Sequence, residues 1–318
     1  MKNFTSLNDI QDLESLVHEA FELKKDLYAF SDLGKRKTLG LVFLNPSLRT
    51  RMSSIKAGEN LGMQVQVINL GTEIWTWDVE ENTVMNGSAT EHIKDAARVL
   101  SQYCDIIGIR CFPGLKDKER DNLDLVINTF VKYSLVPVIS LESATGHPLQ
   151  SFADLITIKE TWKFPYPPKV VLSWAPHIKP LPHCVANSFA EWMNAVKDID
   201  FVIAHPKGYD LAPKYTGNAP VFYNQEEALE NADYVYFKSW SSYKEYGTLP
   251  KVKENWLLGA EFLYSHSGTY WMHCLPVRRN VEVSDAVLDS ARSLVYRQAY
   301  NRTVAMQTIL KKMLENSL

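Results

Sequence analysis

Apolar residues recur along the chain in two alternating rhythms. Short β-rich runs occupy Thr38 to Leu44, Gln64 to Leu70, Asp105 to Arg110, Pro137 to Leu141, Val170 to Trp174, Asp200 to Ala204 and Tyr234 to Phe237. Between them, helical spacing covers about Ser47 to Leu61, Glu91 to Tyr103, Leu123 to Tyr133, Ser151 to Lys163, Pro182 to Asn194, Gln225 to Asn231 and Asp285 to Ser290. An acidic amphipathic stretch, Asp9 to Lys25, precedes the first strand, and a long amphipathic helix is expected near Asn301 to Asn316. Strands that alternate with helices predict βαβ units and parallel sheets. The expected class is α/β, with two lobes, each a parallel β-sheet flanked by helices. The Pro-rich segment 164–168 follows a helical pattern and precedes a strand, which puts a lobe boundary between residues 163 and 164. In such sheets ligands bind beyond the carboxyl ends of the strands, so the residues following each strand carry the interest.

Composition narrows the class. With 318 residues, 46% of them hydrophobic, the chain can bury two cores. Its 34 basic and 37 acidic residues leave a net charge of -3, with no basic excess to neutralise a polyphosphate, so nucleic acid is not an expected partner. Four cysteines, at 104, 111, 184 and 274, form neither a disulfide framework nor a C-x-x-C pair, and a cytoplasmic location is expected. The amino-terminal stretch has no continuous apolar core, and no run approaches the roughly 20 apolar residues of a membrane span. Neither secretion nor membrane insertion is expected. The Asn-x-Ser/Thr triplets at Asn3, Asn86 and Asn301 would be glycan acceptors only in a secretory compartment.

Candidate chemistry lies just past several strands. After Leu44 comes Asn45-Pro46-Ser47-Leu48-Arg49-Thr50-Arg51, where Ser47 is a natural N-cap. The first-turn N–H groups, the hydroxyls of Ser47 and Thr50 and the guanidinium of Arg49 are suited to cradle a phosphate; the alternative is an ordinary cap followed by solvated arginines. Arg110 ends another strand, and His147-Pro148-Leu149-Gln150 follows a third. Grouped near the same helix start, Arg110, His147 and Gln150 could grip the carbonyl end of an acyl phosphate. Taken singly, a histidine beside a proline is more often a loop residue with a satisfied hydrogen bond, and only the grouping argues otherwise for His147. His273-Cys274-Leu275-Pro276-Val277-Arg278-Arg279-Asn280 offers a thiol beside a histidine, but sequence neighbours rarely form a nucleophile–base pair, and the spacing to His266 fits no usual zinc pattern. No metal is expected. Phosphate-loop, dinucleotide, H-E-x-x-H and G-x-S-x-G motifs are absent. Trp75-Thr76-Trp77 lacks helical periodicity and reads as core packing, a mobile loop or a subunit contact.

Ser47-Leu48-Arg49-Thr50-Arg51, Arg110, His147-Pro148-Leu149-Gln150, His273-Cys274-Leu275-Pro276 and Asn301-Arg302 stand in the order found in transcarbamylases, and the chain resembles that family from about Phe4 to its end. Trp75-Thr76-Trp77, Trp174-Ala175-Pro176-His177-Ile178-Lys179-Pro180, Lys238-Ser239-Trp240 and the run from Cys274 to Asn280 resemble the branch acting on N-acylated ornithine. The resemblance implies the transcarbamylase fold: a carbamoyl phosphate-binding lobe over 1–163, an N-acylornithine-binding lobe over 164–296, and a terminal helix at about 297–318 returning to the first. It implies transfer of a carbamoyl group from carbamoyl phosphate to the δ-amine of the acylornithine, in arginine biosynthesis, without a cofactor. By the same resemblance Ser47, Leu48, Arg49, Thr50, Arg110, His147, Gln150 and Arg302 hold carbamoyl phosphate, with Trp75 supplied by a neighbouring subunit of a homotrimer. Glu142, His177, Lys238, Arg278 and Thr90 meet the acylornithine, and Cys274 and Leu275 touch both ligands largely through their backbone. Arg110, His147, Thr50 and Cys274 are the expected catalytic group.

Three positions depart from the family pattern. Gln298 replaces a glutamate and is expected to leave Arg302 less constrained. Thr90 stands where members acting on acetylornithine resemble one another in carrying Glu and succinylornithine members in carrying Pro. Having no carboxylate there favours an anionic succinyl substrate, with acetylornithine as the alternative. Residues 265–272 depart from the usual Asn-rich approach to His-Cys-Leu-Pro, so a catalytically silent binding protein that keeps the fold is a further alternative.

Overall fold

The alternating runs become strands and helices close to their expected positions in the computed structural model, which describes residues 1–316. The last two residues of the expected terminal helix lie outside the described residues. Two compact units are present, Met1–Leu149 together with the chain from Arg302 onward, and Gln150–Asn301.

In the first unit α1 (Leu13–Lys25), capped by Asp12, precedes β1 (Thr38–Phe43), α2 (Leu48–Asn60) and β2 (Gln64–Asn69). The short pair β3 (Trp77–Asp78) and β4 (Glu91–His92) leads to α3 (Ile93–Tyr103), β5 (Ile106–Arg110), α4 (Lys118–Asn122), α5 (Leu125–Tyr133) and β6 (Val138–Glu142). Strand order is β2-β1-β5-β6, all parallel. The central strands β1 and β5 are buried at nearly every position, as expected of parallel strands covered on both faces. Chain order reverses between β1 and β5, so the crevice of this sheet opens after Phe43 and Arg110, which are register partners.

Helix α6 (Pro148–Thr161) crosses the division and leads into β7 (Lys169–Trp174), α7 (Cys184–Ala195), β8 (Asp200–Ala204), α8 (Pro213–Thr216) and β9 (Val221–Phe222). Then follow α9 (Gln225–Leu229), β10 (Tyr234–Lys238), α10 (Glu261–Ser265), β11 (Tyr270–Met272), α11 (Asp285–Leu288) and α12 (Val295–Glu315). The sheet order β11-β10-β7-β8-β9 reverses between β7 and β10, directly before His177 and at Lys238.

Several boundaries differ from the sequence expectation, each for a physical reason. Glu91 and His92 pair with Trp77 and Asp78 instead of opening a helix, and the His92 ring accepts from the Lys94 N–H to cap α3. Helix α6 starts at Pro148, at a first-turn position where a missing N–H costs nothing. The first division falls inside α6, ahead of the Pro-rich segment, because Phe152 stacks on Trp192 of the second unit at 5.6 Å. The second falls after Asn301, whose amide donates to Thr157 and Glu160 of α6. Helix α12 begins at Val295, a buried residue followed at one-turn spacing by the buried amides of Gln298 and Asn301, which an apolar pattern does not register. From Arg302 onward it belongs to the first unit, where Gln307 accepts from Asn60 at 2.8 Å and Lys312 pairs with Glu19. Trp77 packs in the core against Phe130, whereas Trp75 is exposed. Residues 270–272 form β11 despite their departure from the family pattern.

Candidate active site

The first unit gathers its polar residues around Thr50. Ser47 caps α2 by accepting the Thr50 N–H at 3.2 Å, which places Leu48 and Arg49 in the first turn of the helix, just past the end of β1. Arg110 donates to the Thr50 hydroxyl at 3.2 Å, and Arg302, reached through α12, donates to the same oxygen at 2.7 Å. Accepting from two guanidinium groups occupies both lone pairs and leaves that hydroxyl as a donor toward any third group. Asn45 ties the two strand exits together by accepting the Phe112 N–H at 2.6 Å, and the Arg110 guanidinium lies 4.5 Å over the Phe112 ring.

A register shift between Ile109 and Arg110 sets Glu142 opposite Arg110. The two side chains form a buried hydrogen-bonded ion pair in which Glu142 balances the charge of Arg110. The His147 Nε2 lies 3.5 Å from the same carboxylate. Burial, reinforced by the charges of Arg302 and Arg110, holds the His147 imidazole well below its ordinary pKa, so it is neutral at physiological pH. Asp124, which no sequence motif marks, sets the loop before it. Its carboxylate accepts from the N–H groups of Ala144 and Thr145, from the Ser143 hydroxyl at 2.8 Å and from the Thr145 hydroxyl.

The second unit carries the remaining candidates. His177 follows β7, and its Nε2 accepts from Arg278 Nε at 3.2 Å, while its Nδ1 lies 2.8 Å from the Lys179 carbonyl oxygen. Lys238 ends β10 as a buried cation across from Trp174. Gln150 is fully buried, donating to Asp154 at 2.8 Å. Cys274 is half-buried, and Leu275, at φ 52°, donates its N–H to the His273 ring at 2.8 Å. None of the four cysteines forms a disulfide. Gln298 donates to Asp154 and accepts the His273 N–H, each within 2.9 Å. Asp154, like Asp124, gave no signal in the sequence beyond a polar residue on a buried helix.

Of the other candidates, Thr90 is exposed and Trp75 donates its indole N–H to Glu91 at 2.8 Å. Among the described residues no group of three or more His, Cys, Asp or Glu could hold a metal ion, and no helix is long and apolar enough to cross a membrane.

Each of the two parallel sheets carries a basic residue at its switch point, Arg110 in one and Lys238 in the other, and the chain belongs to the aspartate/ornithine carbamoyltransferase family. Residues 2–160 match that family's carbamoyl-P binding domain and residues 183–313 its Asp/Orn binding domain. The chain is 48% identical over 318 residues to N-succinylornithine carbamoyltransferase of Bacteroides fragilis, covering 99% of each chain. It is 33% identical over 339 residues to N-acetylornithine carbamoyltransferase of Xanthomonas campestris, covering 100% of this chain and 99% of that one. Among solved structures, a substituted N-acetyl-L-ornithine transcarbamylase complexed with carbamyl phosphate and N-succinyl-L-norvaline superposes with a TM-score of 0.90. It is 32% identical and the match covers 98% of this chain and all of that one.

Proposed function

We propose that the protein transfers the carbamoyl group of carbamoyl phosphate to the δ-amine of N-succinyl-L-ornithine, giving N-succinyl-L-citrulline and phosphate. The reading rests most heavily on one observation: Arg110 and Arg302 converge on the Thr50 hydroxyl at the start of α2. Two guanidinium groups, a helix N-terminus and one balancing carboxylate suit a compact dianion. When the neutral amine attacks, negative charge grows on the carbamoyl oxygen, where Thr50, Arg110 and the neutral His147 act as donors that strengthen toward the transition state. Departing phosphate takes up the amine proton, so no protein base and no thiol nucleophile is required. Ser47, Leu48, Arg49, Gln150 and Trp75 complete the carbamoyl phosphate site; His177, Lys238, Arg278, Glu142 and Thr90 hold the acylornithine, and the backbone at Cys274 and Leu275 serves both.

The acyl preference is supported by greater similarity to the N-succinylornithine enzyme and by the lack of a carboxylate at Thr90. The enzyme works in the cytoplasm as a homotrimer that shares its sites through Trp75. Exposed apolar side chains at Leu48, Met52, Trp75, Val84 and Met85 are the kind of surface another copy covers. Phosphate release measured with each acylornithine tests the substrate. Turnover at least tenfold better with the succinyl compound is expected, and clearly better turnover of N-acetylornithine overturns that choice. Calorimetric binding of carbamoyl phosphate without turnover of any ornithine derivative overturns catalysis itself.

A further inference from the structure

Asp154 is fully buried on α6, and the reaction as described makes no use of it. One of its oxygens, Oδ1, accepts from the Gln150 amide at 2.8 Å and from the Gln298 amide at 2.8 Å. Gln298 in turn accepts the His273 backbone N–H at 2.9 Å. The polarity of this chain of contacts is forced from one end. A backbone N–H only donates, so Gln298 must offer its carbonyl oxygen to His273 and its NH2 to position 154. Position 154 must therefore present an acceptor, and the same acceptor turns the NH2 of Gln150 toward itself. What Gln150 offers a ligand is then chiefly its carbonyl oxygen, which complements the amino group of a carbamoyl donor. Tyr236 adds a further constraint: its hydroxyl is held well above its ordinary pKa, first by burial and then by the charge of Asp154 and the Cys274 thiol beside it.

We propose that Asp154 is a positioning residue that sets the amide orientation of Gln150 and, through Gln298, fixes the backbone at His273 from which Cys274 and Leu275 follow. This rests on the carbamoyl-transfer reading. It also assigns a role to the glutamine that stands where the family has glutamate. A carboxylate at 298 would meet Asp154 at hydrogen-bond distance, and the pair would need a shared proton in place of the amide N–H.

Steady-state kinetics on the full-length enzyme test it, with carbamoyl phosphate varied and the turned-over acylornithine saturating. Asp154→Ala is expected to lower kcat/KM for carbamoyl phosphate at least tenfold. Asp154→Asn, which can present one oxygen to both amides, is expected to stay within threefold of wild type. Should Asp154→Ala fail to fold, Gln298→Glu decides, because a merely structural role would not move its pH profile. Its activity relative to wild type is expected to fall at least tenfold between pH 6 and pH 9, as the shared proton is lost. A flat ratio, or a folded Asp154→Ala enzyme with unchanged kinetics, or an Asp154→Asn enzyme as impaired as Asp154→Ala, overturns the inference while leaving the reaction standing. An inactive wild-type enzyme overturns the reaction and the inference with it.

Discussion

Arg110 has two duties that a substitution separates. It is a donor beside Thr50, and it neutralises a buried carboxylate at Glu142. Removing it in Arg110→Ala should cost about 3 kcal/mol of transition-state stabilisation, on the order of 100-fold in kcat/KM, as for loss of an oxyanion donor. It should also strand Glu142, and breaking a buried pair from one side destabilises by about 3–5 kcal/mol. Adding Glu142→Gln to Arg110→Ala should therefore recover much of the lost thermal midpoint in calorimetry without recovering kcat/KM. Arg110 as a candidate was legible from its place after a strand; its pairing with Glu142 was not, because the register shift that aligns the two arises only when β5 and β6 pair.

Among the elements, the loop between β6 and α6 decides where His147 sits. Asp124, at φ 45° just ahead of α5, gathers the loop's N–H and hydroxyl donors onto one carboxylate. Asp124→Ala removes that acceptor and places alanine in a left-handed conformation it disfavours. A loss of about 2–3 kcal/mol is expected in urea unfolding, with a raised KM for carbamoyl phosphate as His147 loosens. The long strands and most helices are where hydrophobic spacing puts them. Their ends shift wherever polar groups do the burying, as at Gln298 and Asn301 in the first turns of α12.

For the whole molecule, three of the four buried histidines among the described residues make stability depend on pH. Burial lowers the pKa of His147 and His205, and it pushes His183 down to about 4. Unfolding releases each to titrate near 6.5, so below that pH the unfolded chain binds more protons and stability falls as pH falls. His183 alone should cost roughly 2 kcal/mol between pH 7.5 and pH 5, read as a lower urea midpoint at pH 5. Stability that is flat or higher at pH 5 would contradict these environments. Sedimentation equilibrium should return the mass of three chains, and Trp75→Ala should lower kcat/KM about tenfold, an order typical of losing one aromatic contact of ~1.5 kcal/mol, without changing that mass.

Local pattern was enough to mark an α/β chain with parallel sheets and to single out the ends of its strands, because burial on both faces of a parallel strand writes a continuous apolar run into adjacent residues. The same locality exposed Ser47, Thr50, Arg110 and His147 as candidates. Partnership between polar groups has no such local trace. Thr50 meets Arg302 across 252 positions and Asp154 meets Gln298 across 144, and either contact could be exchanged for another without altering the hydrophobic rhythm. Only packing the helices against their sheets brings those groups within hydrogen-bond reach, where burial makes each unpaired donor or acceptor costly and so selects one set of partners.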